Sequence, residues 1–441
     1  LAAFLLLICP TGLPAQLLKG RLGMQPLPVG RHILLYDTRG HDHIALDSTV
    51  VGPDGGFAFP DRCYPSGFYK LGLDEKDRVD IILDDREEVI DLRFHGHPLQ
   101  LFLTVVQSKE NQRLWEYKFV SQRVQKQLGA MRQERDALPR NDPGRASLDS
   151  LEAQVLEGQQ RALDRLVGQD TSSYFAHVVL AERRLTAASQ DGPTAVRDAF
   201  DWGDTRLLRS TVYAKAIMTY LQNVPPGPAS YNDASDSLLH WASRDIRCWI
   251  HVRSLLFRMF NQYGPDATAQ HLVDRYMSGP DALVPPETDL LGMLTERRRL
   301  GIGAQAPDVA LPDPVARDTV QLRDILAKHR YTALFFYSST CDHCHEQMPG
   351  LRRLYADMRG RGFEMVGIAL DDDVGEFLST ITEQELDWPS YSDLIAWGSP
   401  AAKAFAVQMT PTLFLLDGKG RIVAKPYDHE ELRTRLDGLL R

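Results

Sequence analysis

Cysteine is scarce: the chain of 441 residues holds five. A framework of disulfides is therefore not what organises it. Cys63 and Cys248 lie far apart among bulky or charged neighbours, and each is expected to be a free, buried thiol. Only Cys341 and Cys344 are closely spaced. A basic excess is also missing. The net charge is -9, which argues against nucleic acid as a partner, because phosphates need a cationic face. The short run Arg297-Arg298-Arg299 reads as a solvated helix face. Long apolar runs are absent as well. The stretch "LAAFLLLICPTGLPAQ" is too short to span a bilayer and has the length of a signal-peptide core. It has neither Met nor a basic flank, and Leu13-Pro14-Ala15 resembles a small-residue cleavage site. Residues 1–16 are expected to be a truncated leader, with Cys9 leaving in it. Ile8 stands where a lipoprotein signal requires a small residue. The mature chain is thus expected to be exported, soluble and without a membrane span.

What is present is ordinary globular material, 25% charged and 43% hydrophobic, in a chain too long for one core. Residues 17–98 read as an all-β module, a small sandwich. "RHILLYD", "IALDSTVV", "GFAFP", "GFYKLGL" and "VDIILDD" are apolar or alternating runs punctuated by "PDGG" and "YPSG". His41, His43, His95 and His97 form two H-x-H pairs, read as loop and edge-strand residues rather than metal ligands. Residues 99–300 read as a helical module. Leu114, Val120, Val124, Leu128 and Met131 recur at helical spacing, "RNDPG" breaks the pattern, and Leu148, Leu151, Val155, Leu163 and Leu166 resume it. Two antiparallel helices follow from that break. Further helices are expected near 172–187, 192–199, 205–222, 231–245, 246–262 and 265–277. Trp202, Tyr213, Tyr220, Trp241 and Trp249 read as their core.

Residues 301–441 change pattern again. "YTALFFYSS" is a buried strand run, and Met348, Leu351, Tyr355 and Met358 mark one face of a helix. "FEMVGIALD" is a second strand, a helix follows from Val374, "TPTLFLLDGKGRIVA" is a hairpin, and "DHEELRTRLDGLL" closes as a helix. This alternation predicts an α/β domain. Cys341 falls at a strand-to-helix junction, where free N–H groups and the helix dipole favour a thiolate. One turn later Cys344 is placed to close a small ring. That geometry casts Cys341 as the attacking thiol and Cys344 as the resolving one.

The string "SSTCDHCHEQMP" also admits other chemistries. A Cys-x-x-Cys-His motif tethers haem in c-type cytochromes, with Met348, Met365 or Met409 available as a second ligand. A haem motif has no reason to follow an apolar strand in a βαβ unit, so haem is disfavoured. Zinc held by Cys341, His343, Cys344 and His345 is disfavoured too, since four donors on five consecutive residues do not easily form one tetrahedron.

These residues carry a resemblance. The C-terminal region resembles a thioredoxin-like domain of the exported disulfide-reductase type, within the AhpC/TSA–redoxin superfamily, that serves cytochrome c maturation and thiol repair. "GAQAPDVALPD" is similar to its lead-in strand, Pro349 to its helix-kinking proline, and "QMTPTLFLLDGKG" to the segment carrying its cis-proline, here Pro411 after Thr410. "IALDSTVVGPDGGFAF" and "FDWGDTRLLRSTVYAKAIMTYL" resemble the β and helical modules that precede such domains in envelope proteins. The resemblance implies dithiol–disulfide exchange with protein substrates, no bound cofactor, a membrane electron donor, and substrate backbone held at Thr410-Pro411. Peroxiredoxins share the fold, but Leu334 and Ser338 replace the proline and threonine of their nucleophile motif. Two departures from the pattern bear on proton transfer. Phe335 stands in the register of thioredoxin's buried Asp. Gln347, with Glu346 beside it, stands where cytochrome-maturation relatives often carry Glu. Glu346, His345 or water is then expected to manage the Cys344 proton. His343 favours a thiolate and Asp342 opposes it.

The expected architecture is an N-terminal β sandwich, a central helical region and a C-terminal thioredoxin fold, acting as an exported thiol-disulfide oxidoreductase. The alternatives are an envelope binding or scaffold protein with a secondary redox domain, and a peroxiredoxin-like antioxidant.

Overall fold

Residue contacts divide the chain into two compact units, one of residues up to Pro225 with Leu238–Val252, the other of Pro226–Ser237 with Arg253–Arg441. The computed structural model describes residues 16–38, 45–59, 63–74 and 76–440. His41, His43 and residues 1–15 of the expected leader lie outside them.

The first unit opens with eight strands: β1 (Leu17–Leu22), β2 (His32–Asp37), β3 (Ala45–Val50), β4 (Gly56–Ala58), β5 (Gly67–Gly72), β6 (Arg78–Leu83), β7 (Val89–Phe94) and β8 (Leu103–Gln107). They form two four-stranded sheets, in the orders β4-β1-β7-β8 and β3-β2-β5-β6. Period-two burial explains them: Ile90, Leu92 and Phe94 of β7 are buried, while Asp91 and Arg93 point away. His97 pairs with Asp77. Cys63 is disulfide-bonded, which corrects the expectation of a free thiol there, while Cys248 is a free, buried thiol as expected.

A short 3-10 helix at Leu99–Leu101 follows β7, and the first α-helix begins at Lys109. The run Leu103–Gln107 pairs with β7, and Ser108 then caps the first α-helix by accepting from Asn111 N–H. The helices α1 (Lys109–Ala137) and α2 (Pro143–Gln169) run antiparallel, as Arg165–Glu116 at one end and Arg135–Asp149 at the other require. Asp142 caps α2 and Pro143 begins it, so the "RNDPG" break is the hairpin turn. Then come α3 (Tyr174–Ala188), α4 (Pro193–Ala199), α5 (Val212–Gln222), α6 (Pro228–Ala242) and α7 (Ile246–Tyr263). Trp202, Tyr213 and Trp249 are buried among them, as core residues should be.

The second unit continues with α8 (Asp266–Leu272) and α9 (Thr288–Arg299), then the α/β domain: β9 (Ala310–Pro312), β10 (Thr319–Gln321), α10 (Leu322–Leu326), β11 (Tyr331–Tyr337), α11 (Asp342–Met358), β12 (Phe363–Ala369), α12 (Val374–Glu383), β13 (Ser390–Tyr391), α13 (Pro400–Ala404), β14 (Thr412–Asp417), β15 (Ile422–Ala424) and α14 (His429–Leu439). The lead-in "VALPD" segment supplies β9, which pairs antiparallel with β10 in a two-stranded ribbon. The main sheet has the order β13-β12-β11-β14-β15. Its β11–β12 and β12–β13 pairs are parallel, and β14 runs antiparallel to β11. This is the α/β sheet that the alternation predicts, in the arrangement that the resemblance to a thioredoxin-like domain implies.

The central strand β11 is buried on both faces, as its unbroken apolar run demands. Ala333, Phe335 and Tyr337 face one core with Cys344, Met348 and Leu432; Leu334 and Phe336 face another with Phe405 and Phe414. The site is thereby placed at the C-terminal end of the most buried strand.

Candidate active site

Cys341 is the N-cap of α11. Its sulfur accepts the N–H of Cys344 at 3.2 Å, and its carbonyl accepts Cys344 N–H and His345 N–H. An N–H of the first helical turn is thus shared between the carbonyl and the sulfur of Cys341. Cys341 is partly exposed, Cys344 is fully buried, and both are free thiols. Burial pushes the Cys344 thiol far above its ordinary range, and the neighbouring Cys341 sulfur adds to the shift. The two sulfurs are thus unlike: one partly exposed at a helix cap, the other buried one turn behind it.

Cys341 Sγ also lies 3.5 Å from the carbonyl oxygen of Thr410 and donates to it. The Thr410–Pro411 peptide is cis. Residues 341 and 410 are thus brought together by β14 pairing with β11, from Phe336↔Thr412 to Tyr331↔Asp417.

The remaining expected residues divide sharply. Asp342, His343 and Glu346 are exposed, and His343 Nδ1 sits 3.2 Å from Glu346 Oε2, so the imidazole's hydrogen bond is spent on that carboxylate. The ring of His345 turns back onto the fold: Nε2 donates to Ser339 O at 2.9 Å, and Nδ1 accepts from Gln384 Nε2 at 3.3 Å. Gln347 faces the last helix, its Oε1 accepting from His429 Nδ1 at 2.9 Å and from His429 N–H at 3.2 Å. Pro349 lies within α11. The His429 ring occupies the space a Cβ on Gly350 would need, with ring atoms 2.3–2.5 Å from that position. Phe335 stacks on Tyr337 at 5.3 Å, in the register where an acid stands in thioredoxin.

One residue of the site was not anticipated. Asp371, buried just beyond β12, accepts from Ser339 N–H at 2.8 Å, Ser339 Oγ at 2.7 Å and Ser338 Oγ at 3.2 Å. Leu370 N–H donates to Tyr337 O at 2.7 Å and extends the β11–β12 pairing to that point. The carboxylate thus holds the turn that delivers Cys341 to the helix start. The only trace of it in the sequence is an acidic cluster, Asp371-Asp372-Asp373, directly after an apolar strand.

Among the described residues, no group of three or more His, Cys, Asp or Glu side chains is arranged to hold a metal, and no helix is long and apolar enough to cross a membrane.

The fold, the dithiol at the first turn of α11 and the relatives together define the class: the C-terminal region is a thioredoxin-like domain of the thiol-disulfide oxidoreductase type. The AhpC/TSA family profile matches residues 302–425. The chain is 25% identical over 149 residues to a thiol-disulfide oxidoreductase ResA of Bacillus cereus, a match that covers 34% of this chain and 82% of that protein. It is 29% identical over 124 residues to ResA of Oceanobacillus iheyensis, covering 27% of this chain and 62% of that one. Among solved structures, a thioredoxin-like protein from Bacteroides caccae matches 57% of this chain and 93% of its own at 15% identity, with a TM-score of 0.39.

Proposed function

We propose that the protein is an exported thiol-disulfide oxidoreductase that reduces disulfides in protein substrates through Cys341-Asp342-His343-Cys344. The Cys341 thiolate attacks one sulfur of a substrate disulfide. A mixed disulfide forms and the other substrate sulfur leaves as a thiolate. Cys344 then loses its proton and attacks Cys341, forming the Cys341–Cys344 disulfide and releasing the second substrate thiol. Two electrons have moved from enzyme to substrate, and a membrane-bound dithiol donor restores the pair. The observation that carries this reading is the asymmetry of the two sulfurs: one at a helix N-cap with an N–H aimed at it, the other buried and one turn behind.

Backbone at Thr410 and Pro411 holds the substrate segment beside Cys341. His343 and Glu346, paired in solvent, set the charge at the rim of the site. Since Gln347 is bound to His429, the Cys344 proton leaves through water that enters when the mixed disulfide opens the turn. The two N-terminal sheets are taken as a sandwich module and the following helices as a second module, with the redox domain from residue 301. Export is supported by the leader-like N-terminus and by the exported type of domain that the sequence resembles.

Reduction of insulin by dithiothreitol, followed by turbidity, tests the assignment. Catalytic concentrations of the reduced protein should accelerate it, and Cys341→Ser should abolish the acceleration. A protein acting only as a scaffold would show no difference between the two.

A further inference from the structure

A cleft of ≈ 410 Å³ lies within the second unit, lined in part by the residues on either side of Thr410. One wall comes from the thioredoxin-like domain through Met409, Pro411 and Tyr427; the other comes from the helical segment before it through Tyr263 and Met293. Met409 and Pro411 flank Thr410, whose carbonyl oxygen is 3.5 Å from Cys341 Sγ. A chain joined to Cys341 by a mixed disulfide therefore passes within a residue or two of this cleft.

The lining favours an apolar occupant. Tyr427 is 60% exposed and Tyr263 is 48% exposed, so two aromatic rings stand open at its mouth. Rings of this kind supply large apolar contact at little entropic cost. Met293 and Met409 add flexible thioethers, which adapt to side chains of different shape. The size is near the low end of the roughly 300–1,000 Å³ typical of binding pockets, enough for one or two side chains and not for a folded element. The walls are tied together: Asp266 binds Arg297 at 3.0 Å and Lys425 at 3.4 Å, and the Tyr427 ring packs 3.2 Å from where a Cβ on Gly264 would stand.

We propose that this cleft selects the substrate: it takes a bulky apolar side chain carried within a few residues of the cysteine that Cys341 attacks. The helices before the redox domain then contribute directly to substrate choice. The proposal rests on the reductase reading above and adds to it a substrate class, polypeptide disulfides with an apolar flank.

The experiment compares two disulfide-bonded peptides reduced by the full chain, one with Phe near the cysteine and one with Ser in its place. The wild type should favour the Phe peptide in kcat/KM by about 10-fold or more, the scale on which apolar pockets discriminate. Gly292 lies on α9 and lines the cleft, and a Cβ there meets nothing within 4 Å. Gly292→Trp fills the cleft and should collapse the ratio between the peptides towards one. Tyr427→Ala, at an exposed position, should lower the ratio in the same direction by removing one wall. Equal rates on both peptides with the wild type, or a ratio unmoved by both substitutions, overturns the cleft as a selector while leaving the reductase reading intact. Reduction of neither peptide overturns the reductase reading and this inference with it.

Discussion

The backbone N–H of Cys344 donates to the sulfur of Cys341 at 3.2 Å, so the amide of the buried cysteine is directed at the sulfur of the partly exposed one. The arrangement is local, being the cap of a helix, yet it works only because β11 ends where it does. Phe336 and Tyr337 are buried, and the next residues must leave the sheet. Exposure and burial are thereby split between two sulfurs one helical turn apart.

That split is directly measurable. With the reduced protein at neutral pH, iodoacetamide should modify Cys341 at least about 10-fold faster than Cys344, because Cys341 is partly exposed while burial hides the Cys344 thiol and holds it protonated. Peptide mapping after brief exposure reads the ratio, and equal labelling would contradict the assignment of roles.

Asp371 anchors the turn before Cys341 through three hydrogen bonds from Ser338 and Ser339. Hydrogen bonds to charged groups contribute about 1.5–3 kcal/mol each, and they are not additive. Asp371→Ala should destabilise the domain by about 2–4 kcal/mol and slow insulin reduction, whereas Asp371→Asn, which keeps the shape and one acceptor, should lose less of both. Denaturant unfolding together with the turbidity assay checks this; an Ala variant as stable and as active as wild type would remove Asp371 from the site.

A pH dependence follows from the buried thiol. In the unfolded chain Cys344 ionises near the ordinary thiol value of 9.0, while burial raises its value in the folded protein. A raised folded value means that the stability contribution is complete below the unfolded value and declines as pH rises beyond it. Cys344 should therefore add up to about 1.4 kcal/mol of stability loss per pH unit above about pH 9 to the loss from the other buried thiol, Cys248, and Cys344→Ser should show a slope shallower by that amount. Urea unfolding of both proteins across that range reads it, and parallel slopes would contradict the burial argument.

The direction of electron flow has its own test. The equilibrium reduction potential of the Cys341–Cys344 pair should lie nearer to the thioredoxin value of about −270 mV than to the value of about −120 mV found for strong oxidants of this fold. Titration against glutathione or dithiothreitol redox buffers measures it, and a value at the oxidising end would reverse the assignment of the protein as a reductant.

The parts of the site readable from the sequence are those set by local rules. An apolar run fixes β11, Cys341 and Cys344 sit one turn apart by spacing alone, and Thr410-Pro411 is a short motif. The rest depends on which distant segments meet. Asp371 reaches Ser339 because the β11–α11–β12 crossover returns the chain beside its starting strand, and three consecutive acids do not say which one turns inward. Gln347 looked from the sequence like the place of a missing acid; in the fold its oxygen is bound to His429, 82 residues away. His343 and His345, only two positions apart, meet different fates, one ring in solvent beside Glu346 and the other folded back onto Ser339. The cleft beside Pro411 was invisible, since its walls lie more than a hundred residues apart along the chain.

The most direct test of the exchange mechanism is mixed-disulfide trapping. Cys344→Ser and Cys341→Ser are each exposed to a disulfide-bonded protein substrate and resolved on a non-reducing gel. The account predicts that Cys344→Ser accumulates a covalent, dithiothreitol-sensitive adduct through Cys341, and that Cys341→Ser forms none. An adduct that forms only through Cys344, or no adduct with either variant, would contradict it.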